Sequence, residues 1–84
     1  MKHAGPDALD RLEPFLRQLR KIEELKEKKR GSFYRNGRSL LHFHEHGDEL
    51  YADVQLGDDF VRLPATKATE RAVLLKKIKA ALKC

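Results

Sequence analysis

The sequence predicts an α+β domain, a two-layer sandwich in the order α-β-β-β-β-α whose antiparallel meander carries both helices on one face. Three observations predict it. Apolar residues recur at three- and four-residue steps near each end of the chain. Between those ends, "SFYRNGRSLLHFHEHGDELYADVQLGDDFVRLP" switches to a period of two. That middle stretch is cut by glycine turns at Asn36-Gly37, Gly47-Asp48 and Gly57-Asp58.

The first element is "GPDALDRLEPFLRQLRKIEELKEKKRG", read as helix throughout. Leu9, Leu12, Leu16, Leu19 and Ile22 form one stripe with Phe15 beside them, and Asp7 after Pro6 is the expected N-cap. Pro14 lacks an N–H, so it either opens the main helix after a separate short turn or kinks it. The cations of "KEKKRG" suit the negative end of the helix dipole, and Gly31 is the expected stop. Three turns then imply four strands, at 32–35, 39–46, 49–56 and 59–63. The last element, "PATKATERAVLLKKIKAALKC", is helix again, capped by Thr66, with Val73 or Leu74, Leu75, Ile78, Ala81 and Leu82 as its apolar stripe.

The 84 residues make one domain over 1–84, with 1–6 expected as a flexible tail. Such a chain removes about 60–65% of its unfolded surface from water on folding, which leaves little core for a deep enzyme cleft. No apolar run approaches the roughly 18 residues that a membrane span needs. The opening "MKHAGPDALD" has no apolar signal region, and Cys84 is a lone thiol, so a reducing, cytoplasmic setting is expected. The net charge of +5 is uneven: residues 1–31 carry +3, residues 32–66 carry −3 and residues 67–84 carry +5. A uniformly basic nucleic-acid surface would not be divided this way.

Strand register follows from the requirement that one face be apolar, because a slip of one residue exchanges the faces. A two-residue turn at Gly47-Asp48 opposes His46 to Glu49, His44 to Tyr51, Phe43 to Ala52, His42 to Asp53 and Leu41 to Val54. It puts Leu41, Phe43, Leu50, Ala52, Val54 and Leu56 on one face. His42, His44, His46, Glu49, Tyr51, Asp53 and Gln55 take the other. The same rule at Gly57-Asp58 pairs Asp53 with Arg62, Ala52 with Leu63 and Val54 with Val61. A row His42, Asp53, Arg62 results, in which Asp53 stays ionised and draws His42 towards protonation. At Asn36-Gly37 a tight hairpin puts Phe33 and Leu40 on the histidine face and Tyr34 in the core, and one extra residue reverses this.

Several chemistries fit this face. His42, His44 and Asp53 are a candidate zinc set, since same-face strand residues stand about 6.5–7 Å apart and a neighbouring carboxylate can complete a shell. No cysteine and no supporting partner of the ligands is visible, which places this reading behind a plain polar face. His42 with Asp53 also has the form of an acid–base pair. Ser32 and Ser39 lie near sheet edges and no phosphate cradle is present, so the chain reads as a non-enzyme with no cofactor.

The order of elements in "LYADVQLGDDFVRLPATKATERAVLLKKIKAAL" resembles the last strands and helix of double-stranded-RNA-binding domains. The resemblance implies phosphate contacts from Lys67 and Arg71, with Lys76, Lys77 and Lys79 adding positive charge. Glu70 and the absence of a glycine at the helix start depart from that family's pattern, so the likeness is one of topology.

The stretch "FYRNGRSLLHFHEHGDELYADVQLGDDFVRLPATKATER" resembles a small family of stand-alone bacterial proteins with an aromatic-Tyr-Arg hairpin, then "LHFHE", "ADV" and a Phe-x-Arg strand. Phe33, Tyr34, Arg35, Leu41, His42, Phe43, His44, Glu45, Ala52, Asp53, Val54, Phe60 and Arg62 carry it. It implies a bacterial origin and a fold but no reaction. The expected function is binding, with His42, His44, His46, Tyr51, Asp53 and Arg62 as the surface for a protein or small ligand, or for a second copy in a homodimer. Nucleic-acid binding through the basic helices is the alternative, and a membrane is not an expected partner.

Overall fold

The glycine turns build the sheet as the alternation of the strands requires. The computed structural model describes residues 1–83, and Cys84 lies outside them. Among the described residues the order is β1 (Lys2–His3), α1 (Pro6–Arg20), β2 (Lys26–Lys29), β3 (Ser32–Arg35), β4 (Arg38–His46), β5 (Glu49–Leu56), β6 (Asp59–Pro64) and α2 (Ala68–Leu82). The sheet runs β2-β3-β4-β5-β6, with β1 also pairing β4. All pairings are antiparallel. The expected α+β architecture therefore holds, extended by two strands at positions assigned to a tail and a helix.

The register of β4 on β5 is the expected one at every pair from Leu41–Val54 to His46–Glu49, and β5 on β6 pairs Asp53 with Arg62 and Val54 with Val61. Leu41, Phe43, Leu50, Ala52 and Val54 are buried on one face. Against them pack Ala8, Leu12, Phe15, Leu16 and Leu19 of α1 and Leu74, Ile78 and Leu82 of α2, in one core. The Phe15 and Phe43 rings meet edge to face at 6.2 Å. Both helices thus cover the apolar face and leave the histidine face open.

The Asn36-Gly37 hairpin combines the two arrangements the sequence leaves open. Both turn residues have positive φ, 52° and 79°, as a tight type I′ turn needs. Arg35 pairs Arg38 and Tyr34 pairs Ser39, but Phe33 pairs Leu41. Leu40 is the extra residue of a bulge, which returns Phe33 to the core and lets Leu40 and Leu41 both be buried.

Three local expectations are corrected. The helix expected to reach Gly31 ends at Arg20, and "KEKK" is strand β2. Those residues form helices readily, but beyond Leu25, which is buried in the core, no apolar side chain remains before Gly31 for a helix to bury. As a strand the segment alternates usefully. Glu27 turns inward to accept from Arg20 Nε (2.6 Å) and the Gly31 N–H (2.8 Å), while Lys28 lies 4.7 Å from the Tyr34 ring centre. The cations of "KEKK" therefore have no helix dipole to complement.

The expected tail is held as well. Lys2 and His3 pair Glu45 and His44, and the Ala4 N–H donates to the Phe43 carbonyl at 3.1 Å. The caps also differ. Gly5 precedes α1 and donates its N–H to Glu45 Oε2 at 2.7 Å, so Asp7 sits in the first turn, and the helix runs through the exposed Pro14. At α2, Thr66 spends its hydroxyl on the Leu50 N–H (2.8 Å) and carbonyl (3.2 Å). Lys67 is the N-cap, its N–H donating to the Glu70 carboxylate at 2.9 Å.

Candidate functional site: the imidazole–carboxylate cluster

Three neighbouring strands place the site on the open face. His42 and His44 are two residues apart on β4 and so share a face, Asp53 stands across from His42 on β5, and Arg62 stands across from Asp53 on β6. On the other side of β4, His3 of β1 stands directly across from His44.

Asp53 is the hub. Arg62 donates to it through Nε to Oδ1 at 2.8 Å and through Nη2 to Oδ2 at 2.9 Å, a two-point contact that fixes the carboxylate plane. The guanidinium lowers the Asp53 pKa and more than offsets burial, with His44 and His42 adding to the effect. Oδ2 also faces both imidazoles, with His44 Nε2 at 3.0 Å and His42 Nε2 at 3.6 Å.

The protonation expected of His42 is corrected. Its pKa is lowered, chiefly by burial, with His44, His3 and Arg62 working against the cation and Asp53 in its favour. The cross-strand carboxylate is present as expected, but Arg62 has already engaged its charge. Burial and the neighbouring positive groups thus favour the neutral form of His42.

His44 is the least satisfied group of the site. Both its ring nitrogens are buried and neither makes a hydrogen bond. The 3.0 Å approach of Nε2 to Asp53 is a contact of distance without the alignment of a ring N–H donor. Buried polar atoms are hydrogen-bonded in the great majority of cases, so two unpartnered nitrogens on one ring set His44 apart from its neighbours. One ligand atom from each of His42, His44 and Asp53 lies within 4.8 Å of the other two. The His3 ring stacks on His44 with centres 4.6 Å apart and lies 5.9 Å from His42. Phe60 closes the opposite side of His42 at 5.5 Å.

The remaining expected site residues lie elsewhere. His46 is exposed across from Glu49, which accepts the Tyr51 hydroxyl and raises the pKa of that phenol, so this pair belongs to the hairpin end. Lys67, Arg71, Lys76, Lys77 and Lys79 belong to the N-cap and body of α2, in the layer behind the sheet. Arg71 donates to the carbonyls of Ala65 (3.0 Å) and Thr66 (2.8 Å), closing the start of α2 from within the fold. Lys76, Lys77 and Lys79 are exposed. Ser32 and Ser39 border an open cleft of about 810 Å³ between β1 and β2, which Lys28, Lys29 and Arg30 face from one side and His3 and His42 from the other. Neither serine hydroxyl is hydrogen-bonded to an imidazole among the described residues.

Sequence reasoning missed His3 and the cleft. A single histidine in a polar pentapeptide has no period to read, and its partner strand is forty residues away. Comparison with known proteins finds no matching family model, no matching curated protein and no matching solved structure.

Proposed function

We propose that this protein is a non-enzymatic binding module whose open sheet face takes a divalent transition-metal ion of the zinc class at His42, His44 and Asp53. The observation that carries the reading is His44, a side chain with two buried, unpartnered ring nitrogens beside an ionised carboxylate. Metal ligation needs a deprotonated carboxylate and neutral imidazoles. The lowered pKa values of Asp53 and His42 supply one of each at neutral pH.

Two nitrogens and one oxygen suit zinc, nickel, cobalt or copper rather than magnesium or calcium, which prefer oxygen throughout. Ligand atoms around a tetrahedral zinc lie roughly 3.3–3.4 Å apart, given bonds of about 2.0–2.1 Å. The separations of 3.0 and 3.6 Å from Asp53 Oδ2 bracket that value, so modest turns of the side chains bring the three atoms to one ion. Arg62 then acts as the outer partner that orients the carboxylate.

The test is a titration of the metal-depleted protein with Zn²⁺ against a chromophoric chelator. One ion per chain is expected, with affinity falling about tenfold or more in both His44→Ala and Asp53→Asn. Absence of binding, or binding undiminished in both variants, overturns the reading.

A further inference from the structure

We infer that His3 is the fourth ligand of this ion, so that the site is a closed shell of three imidazoles and one carboxylate and the metal fastens the N-terminal strand to the sheet. The inference rests on the metal reading above and adds to it a ligand, a coordination number and a consequence.

The placement argument is geometric. His3 and His44 are direct partners across the β1–β4 pair, and such residues have Cβ atoms about 4.5–5.5 Å apart on the same face. His42 lies two residues along the same strand on that face, and Asp53 lies across from it on the next strand. Ligand atoms of His42, His44 and Asp53 already lie within 4.8 Å of one another, and His3, on the strand beside them, lies outside that group and must turn to join it. The imidazole ring centres lie close, at 4.6 Å for His3–His44, 5.0 Å for His42–His44 and 5.9 Å for His3–His42. His3 lies over His44 as a stacked lid. It is an exposed side chain, so turning about its own torsions to present a nitrogen inward gives up its stack on His44 but displaces no core residue.

The consequence follows from what holds β1. This strand has two residues in its ladder with β4, a further backbone hydrogen bond from Ala4 to Phe43, one from Gly5 to the Glu45 side chain, and a long Lys2–Glu45 ion pair at 3.8 Å. A strand so short contributes little order by itself. An ion bound only when β1 is docked stabilises the docked state by mass action. Four protein ligands also leave no open position for water, the arrangement of structural rather than catalytic zinc.

The experiment loads the full chain with Co²⁺ and with Zn²⁺ and compares His3→Ala with the parent and with His46→Ala, which removes an exposed histidine outside the cluster. The parent and His46→Ala are expected to show the intense visible bands of tetrahedral cobalt. They are also expected to show slowed hydrogen exchange at the amides of residues 3–5 on adding zinc. In His3→Ala the cobalt bands shift as water replaces an imidazole, the slowed exchange at residues 3–5 disappears, and zinc affinity falls about tenfold or more. If the parent binds one zinc but His3→Ala matches it in spectrum, exchange and affinity, this inference falls while the three-ligand reading stands. If the parent binds no zinc, both fall.

Discussion

Glu13 sits between guanidinium groups, and that position gives it a part in how the domain meets acid. Arg20 Nη1 lies 2.6 Å from its carboxylate, Arg30 Nη2 3.0 Å and Arg17 Nε 3.5 Å. Hydrogen bonds from Arg20 first and Arg30 second bring its pKa from 4.5 down to about 2. A carboxyl whose folded pKa lies below its unfolded one binds more protons unfolded, so its contribution is complete above about pH 4.5 and is lost as pH falls towards 2. Glu13→Gln is therefore expected to be less stable than the parent at neutral pH, and the gap should close between pH 4.5 and 2. Urea midpoints measured across that window check this. A gap of constant size at every pH would show that Glu13 acts through packing instead of charge.

At the scale of elements, Gly31 joins three of them. It turns β2 into β3 with φ at +82°, and a Cβ there would come within 2.6 Å of Leu9 Cδ2 on α1. Gly31→Ala thus combines a left-handed backbone, roughly 1–2 kcal/mol for a residue with a Cβ, with a collision against the helix. Gly57→Ala, at φ +78° with open space around it, has the backbone cost alone. The expected result is a larger loss of urea midpoint for Gly31→Ala than for Gly57→Ala. Equal losses would mean that Leu9 simply moves aside.

The same residue explains what the sequence discloses and what it conceals. Gly31 was readable as a stop, but not whether a helix or a strand stopped there, because Lys and Glu favour helix and only the partner strand reveals the alternation of β2. Where both faces of a strand have distinct chemistry, as along β4 and β5, register is legible to the residue, and the His42, Asp53, Arg62 row follows from it. A bulge at Leu40, where two apolar residues follow one another, has no such signal. The protonation of His42 is hidden from the sequence for a related reason. A pairing argument sees the carboxylate across the strand but not the burial, or the His3 and His44 rings beside it.

At the scale of the whole molecule, one core serves both layers. α2 contributes Leu74, Ile78 and Leu82, four residues apart and on one stripe, to the same buried cluster as Leu41 and Val54 of the sheet and Leu12 and Leu16 of α1. The helices share this core on one side, and the candidate site occupies the other face of the same strands, so the positions of His42, His44 and Asp53 depend on the core beneath them. Ile78 is fully buried, and Ile78→Ala leaves a cavity that costs about 2–5 kcal/mol. Small domains have total stabilities towards the lower end of about 5–15 kcal/mol, so this one deletion consumes much of what is available. A shared core also predicts that the loss is felt everywhere at once. Far-UV circular dichroism, dominated by the helices, and the fluorescence of Tyr34 and Tyr51 on the sheet should move to lower urea together in Ile78→Ala, with coincident midpoints. Separate transitions for the two probes would show that α2 is an independent layer, and that the face opposite it does not depend on that helix for its geometry.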